Sequence, residues 1–205
     1  MPQTILHLVR HGQTQWNVEK RFQGRLDSPL TELGKSQARM AGEILSGVPL
    51  DYAYASPLPR TLATAELVLH SRNLAIAHEP RVREINLGPL EGELYEKAVL
   101  TWPEAAKDFW ERPHLFQADG AETVKEVQER MVEALEEIVG RHPEKHIVII
   151  SHGMAIKTAL AWYQGYDITG LNGVELPANG SVTTLTFSEG VCKDIAIENP
   201  PQGEA

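Results

Sequence analysis

The stretch TILHLVRHG, Thr4 to Gly12, decides the fold. Thr4 to Val9 form a short apolar run rich in branched side chains, the pattern of a strand buried on both faces. The run then surfaces into a fixed cation, Arg10, a titratable imidazole, His11, and a residue without a side chain, Gly12. A strand covered on both faces belongs to a sheet with helices above and below. Such sheets bind ligands outside the carboxyl ends of their strands, where helix N-termini point outward.

Working outward, DYAYAS (Asp51–Ser56) and HIVIIS (His146–Ser151) read as strands of the same kind. Helical patterns alternate with them. Leu33, Ala41, Ile44 and Leu45 mark a helix over Thr31–Leu45, with Thr31 as N-cap after Pro29. SPLPRTLATAELVL starts another: Ser56 suits the N-cap, Pro57 the first helical position and Pro59 the first turn, which places Arg60 at a helix beginning. Val124, Val127, Met131, Leu135 and Ile138 form an apolar stripe on a helix just before HIVII. SVTTLTF and VCKDIAI flank SEG as a closing hairpin, and residues from Asn199 to 205 read as a loose tail. The expected architecture is α/β, a three-layer α/β/α sandwich around a mostly parallel central sheet, in one domain spanning 1–205. No repeat, low-complexity tract or linker divides the chain.

The 205 residues are 42% hydrophobic and 23% charged, ordinary values for a soluble globular protein. The first residues lack a secretory pattern and no run approaches the roughly 18 apolar residues of a membrane span, so a cytoplasmic location is expected. Cys192 is the single cysteine, which leaves no internal disulfide and no CxxC motif; a small buried hydrophobe is its expected role. The net charge of −9 argues against nucleic-acid and membrane partners. It does not argue against a small anion, because screening over about 8 Å lets a local arginine cluster outweigh distant carboxylates.

If the sheet is parallel, three strand ends share one edge. They bring Arg10 and His11, Ser56 and then Arg60, and Ser151, His152 and Gly153. Guanidinium forks match phosphate oxygens, and a glycine after each histidine lets backbone N–H groups approach an anion closely. A neutral histidine can serve as nucleophile for phosphoryl transfer without a metal.

At these residues the chain resembles the histidine phosphatase superfamily, also called the phosphoglycerate mutase-like family, from about Thr4 to Phe187. RHGQTQWN is similar to its opening signature, FQGRLDSPLTELGKSQA to the following segment, and YASPLPRTLATAE and SHG to later blocks in the same order. The resemblance implies that His11 is the phosphorylated nucleophile and that Arg10, Arg60 and His152 hold the phosphoryl oxygens. Asn17, Gln23 and Gly24 match positions lining the phosphate and substrate side, with Gly153 beside them. In REINLGPLEG, Glu84 matches the proton donor. Leu90 and Thr61 depart from the commonest pattern, which often has tryptophan and alanine there.

The implied reaction has two halves. His11 takes the phosphoryl group while Glu84 protonates the departing alkoxide; Glu84 then activates water against the phosphohistidine. No metal and no cofactor is required, His11 must hold one ring proton on a backbone carbonyl, His152 acts as a charged donor, and the pH profile is bell-shaped. The partner is a small-molecule phosphate ester, and nothing in the sequence sets an oligomeric state. A cofactor-dependent phosphoglycerate mutase would need extra cations, yet Lys97, Lys107 and Arg112 are scattered and Met154 follows SHG where mutases usually have asparagine. A non-catalytic binder of phosphorylated ligands would not need Glu84. A phosphomonoester phosphatase is therefore favoured.

Other readings stay beside these. Glu84 could instead pair with Arg81 or Arg83. His7 and His11 have metal-ligand spacing only on a helix, and they lie in a strand-like run. His142 and His146 read as solvated surface, His70 and His78 as structural or surface residues, and His114 is open. A small helical cap insertion is expected at about 93–118. Its Leu94, Tyr95, Leu100, Trp102, Phe109, Trp110, Leu115 and Phe116 either pack among helices or roof the pocket.

Overall fold

The computed structural model describes residues 2–200, so 201–205 of the expected tail lie outside the described residues. Along the chain run β1 (Thr4–Arg10), α1 (Gln15–Val18), α2 (Glu32–Ile44), β2 (Tyr52–Ala55), α3 (Pro59–Val68) and β3 (Ile76–His78). They are followed by α4 (Tyr95–Thr101), α5 (Pro103–Glu111), α6 (Val124–Arg141), β4 (His146–Ser151), α7 (Gly153–Tyr163), β5 (Val182–Ser188) and β6 (Val191–Glu198). The strands form one sheet in the order β3-β2-β4-β1-β5-β6. β1, β2, β3 and β4 are mutually parallel; β5 runs against β1 and against β6, so it alone is reversed.

Alternation along the central strands divides the interior into two layers. Leu6, Leu8, Tyr54, Ile147 and Ile149 face a cluster with Val127, Met131 and Leu135 of α6 and Ile156 and Ala159 of α7. Val9, Ala53, Ala55, Val148 and Ile150 face the other way, against Ala41 of α2, Leu45, and Ala65 and Val68 of α3. This is the α/β/α sandwich, and the period of two along the strands produces it. The expected stripe of α6 is buried throughout. Thr123 and Glu126 close its start as a capping box, and Thr31 Oγ1 caps α2 by accepting from Gly34 N at 3.0 Å.

Helix α3 starts later than its sequence suggests. Leu58, not Ser56, is the N-cap residue, and Pro59 takes the first helical position. Ser56 N–H still donates to Ile150 O at 3.0 Å, continuing the strand ladder, and Leu58 is held extended by the proline that follows it. Cys192 is only half-buried, because β6 is an edge strand. His142 and His146 are not simply solvated. The His142 ring stacks on Tyr52 at 3.9 Å and its Nε2 lies 2.7 Å from the Tyr54 hydroxyl, while His146 Nδ1 lies 3.3 Å from His7 Nε2.

Helices α4 and α5 fill the expected cap. Ala98, Ala106, Phe109 and Phe116 join the same apolar cluster as α6 and α7, so the cap is packed onto the sandwich rather than loosely tethered. Among the described residues no helix is long and apolar enough to cross a membrane.

Candidate active site

Parallel pairing brings the three strand ends level. Arg10 lies opposite Ser151 in register, His11 N–H donates to Ser151 O at 3.1 Å, and the rings of His11 and His152 stand edge to face with centroids 5.3 Å apart. His11 is 3% exposed. Its Nδ1 lies 2.8 Å from the Gly12 carbonyl, which can only accept, and its Nε2 receives Arg60 Nε–H at 3.3 Å. The two neighbours select one tautomer, with the proton on Nδ1 and the lone pair on Nε2. Burial, then the charges of Arg60 and Arg10, hold this imidazole well below its usual range, so it is neutral.

Arg60 is 1% exposed, and four of its five N–H donors have protein acceptors. Nη1 donates to Leu26 O at 2.7 Å and to Asp27 Oδ1 at 3.0 Å, and Nη2 donates to Gly24 O at 2.7 Å. Arg10 Nη1 donates to Pro177 O at 2.5 Å, and its Nε is buried without a protein partner. Burial lowers both guanidiniums and Glu84 opposes it; arginine starts so high that both stay charged. A side chain at Gly153 would meet the Arg10 guanidinium at 3.2 Å, so this glycine makes room for the cation. Gly12 differs from expectation: its N–H is taken by Thr64 Oγ1 at 3.2 Å. Its missing side chain serves packing, since a Cβ would fall 2.1 Å from Gly34 O.

Glu84 pairs with neither Arg81 nor Arg83. Arg81 is engaged by Glu79 and Glu137, and Arg83 Nε donates to Pro80 O. The Glu84 carboxylate instead accepts from Ile85 N at 3.0 Å and from the free first-turn amides of α7, Met154 N and Ala155 N, each at 3.1 Å. His152 is fully buried, and burial, then Arg60 and His11, push its imidazole well below the usual range. It is therefore neutral, contrary to the charged donor expected, because a third cation would be desolvated beside two guanidiniums. Its Nε2 lies 2.8 Å from Ser56 Oγ and its Nδ1 has no protein partner.

Arg10, His11, Asn17, Gln23, Gly24, Arg60, Glu84 and Gly153 all line one open cavity of about 80 Å³. Asn17 Oδ1 is used by Thr14 N–H at 3.0 Å, which leaves its NH2 for a ligand. Gln23 Oε1 is buried without a protein partner, and Gly24 has φ +55°, a backbone position that favours glycine. Part of the lining is apolar. Phe22, Tyr95, Phe109 and Trp110 pack ring against ring, and Met154 and Leu176 belong to the same lining. Three of the cap aromatics thus reach the pocket, while Phe116 packs in the core. Sequence reasoning brought Ser56 to this edge but gave it only a capping role, and it missed Arg21, Phe22 and Leu176. Of the three missed, Phe22 carried a signal, standing beside Gln23 in the FQGRLDSPLTELGKSQA block.

Fold and cavity together define a class: an α/β sandwich whose strand ends surround an anion-sized site with buried cations and imidazoles. The chain belongs to the histidine phosphatase superfamily, branch 1, whose family model matches residues 6–198, and it is an enzyme of that superfamily's phosphatase type. It is 36% identical over 164 residues to "Phosphoserine phosphatase 1" of Hydrogenobacter thermophilus, covering 80% of this chain and 78% of that one. It is 34% identical over 154 residues to "Probable phosphoglycerate mutase GpmB" of Erwinia tasmaniensis, covering 74% of this chain and 70% of the relative. The solved structure of Bacillus stearothermophilus YhfR superposes with a TM-score of 0.90 at 38% identity, covering 93% and 94% of the two chains.

Proposed function

We propose that the protein hydrolyses small phosphate monoesters through a phosphohistidine at His11, without a metal. The observation that carries this reading is the tautomer of His11, whose Nε2 lone pair meets Arg60 Nε–H in a cavity that Arg10 also lines. Arg60 Nε–H turns from that lone pair to a phosphoryl oxygen when the ester binds. Nε2 then bonds to phosphorus as the ester P–O bond breaks, and the leaving alkoxide takes a proton from the Glu84 carboxyl group. In the second half the Glu84 carboxylate removes a proton from water, the water oxygen bonds to phosphorus, and the P–N bond breaks to release phosphate. Arg10 and Arg60 supply the positive charge that phosphoryl transfer requires.

Water, not a second bound glycerate, receives the phosphoryl group. A mutase needs further cations, and among the described residues Arg21 is the one basic side chain of the lining besides Arg10 and Arg60. Its guanidinium is engaged by Gly92 O at 2.6 Å and Glu19 at 3.2 Å. In the cap, Lys97 pairs with Glu93 and Arg112 with Asp108. The aromatic wall favours esters with an apolar or aromatic portion.

The test is labelling with an ester carrying radioactive phosphate, in EDTA. An acid-labile, base-stable adduct on His11 and release of phosphate support the reading. Label on another residue, loss of turnover in EDTA, or isomerisation of 3-phosphoglycerate faster than phosphate release overturns it.

A further inference from the structure

Ser56 is fully buried beside the His152 imidazole, and phosphoryl transfer as proposed gives it no task. Every other polar group it carries is held. Its N–H donates to Ile150 O at 3.0 Å, its carbonyl lies 2.8 Å from Thr61 Oγ1, whose single hydrogen it shares with Leu58 O at 2.6 Å, and its Oγ accepts from Leu58 N–H at 3.4 Å. The hydroxyl hydrogen remains, and the acceptor within reach is His152 Nε2 at 2.8 Å.

Two proton arrangements fit that distance. With the proton on Nε2, Ser56 Oγ would accept twice, its own hydrogen would be left unpaired in the interior, and His152 Nδ1 would present a lone pair to an incoming anion. With the proton on Nδ1, the hydroxyl donates to Nε2, both groups are satisfied, and the otherwise unpartnered Nδ1 becomes a donor. We propose that Ser56 is a positioning residue: its hydroxyl donates to His152 Nε2 and fixes the tautomer whose Nδ1–H holds a phosphoryl oxygen, making His152 a neutral donor. This inference rests on the phosphatase reading. The low proton affinity of His152, set first by burial and then by Arg60 and His11, agrees with it.

The experiment is nitrogen NMR of the full chain labelled at histidine, at pH 7, with His152→Gln to assign the signals. The expected spectrum has His152 Nδ1 protonated and Nε2 unprotonated. In Ser56→Ala that preference is lost and kcat falls by about tenfold to a hundredfold with a smaller change in KM, the range common for residues that orient a working imidazole. Ser56→Thr restores the tautomer and most of the rate. A wild-type ring protonated on Nε2, or on both nitrogens, overturns the proposal even if Ser56→Ala does not fold. So does a Ser56→Ala variant with an unchanged tautomer and turnover within twofold. Failure of the phosphatase reading looks different: the wild-type protein then makes no phosphohistidine, whatever the spectrum of His152.

Discussion

At the carboxyl edge of the sheet the rings of His11 and His152 stand 5.3 Å apart at 65°; toward the opposite edge those of His7 and His146 lie 5.6 Å apart at 12°. Both pairs join β1 to β4. The lower pair is closed on itself, with His7 Nε2 3.3 Å from His146 Nδ1 and His7 Nδ1 3.1 Å from Thr184 Oγ1. The cation nearest in effect, Arg72, spends its guanidinium on the carbonyls of Val48, Leu45 and Ser46. In the upper pair His11 lines a cavity together with Arg10, Arg60 and Gly153 at the first turn of α7, and His152 is buried against its ring with Nδ1 unpartnered. Two adjacent histidines are therefore not a site in themselves. What differs is whether their remaining lone pairs and protons are used up inside the fold or aimed at a space that an anion can enter.

This contrast can be broken most severely at His11. His11→Ala removes the lone pair that faces the cavity, and turnover should fall on the order of 10⁵-fold or more, with loss of the acid-labile adduct. Steady-state phosphate release measures it, and a loss below a hundredfold would place the nucleophile elsewhere. Arg60→Ala should cost about a hundred- to a thousandfold in turnover, the range for one donor to transferring oxygens. A change under tenfold counts against that role. Trp110→Ala sharpens the picture of the apolar lining: KM for an aryl phosphate should rise about tenfold, while KM for 3-phosphoglycerate stays within twofold. Equal effects on both substrates would remove the aromatic preference.

The smallest effect on activity belongs to the lower pair. His7→Gln should leave turnover within twofold while changing the acid stability. Burial, then His146 and Arg72, lower the His7 imidazole from 6.5 to about 4. The unfolded chain thus binds this proton more tightly than the folded one. The contribution to stability is complete above pH 6.5 and is lost as pH falls toward 4, an effect of about 3 kcal/mol. Melting temperatures from pH 7 to pH 4 should therefore fall less steeply in His7→Gln than in the wild type. Parallel curves would show that His7 does not titrate in this window.

Much of this was legible along the chain. The runs at Thr4, Tyr52 and His146, the N-cap at Thr31 and the stripe of α6 depend on local pattern, and the structure has them where the pattern puts them. Less legible was what a residue does once its neighbours arrive. Ser56 has every local feature of a helix cap, and it loses that role because the strand ladder holds its backbone and His152 takes its hydroxyl. The charge of His152 was misjudged for a similar reason: burial beside Arg60 is a property of the assembled edge, not of SHG.

By itself the sequence determined the layers, the parallel strand ends and the residue types that meet there, because strand and helix periods and capping chemistry act over a few residues. The tertiary structure alone decided which proton sits on which ring nitrogen, which amides hold Glu84 and which aromatics line the cavity. Those outcomes depend on burial and on hydrogen-bond partners from segments distant along the chain, and no local pattern encodes either.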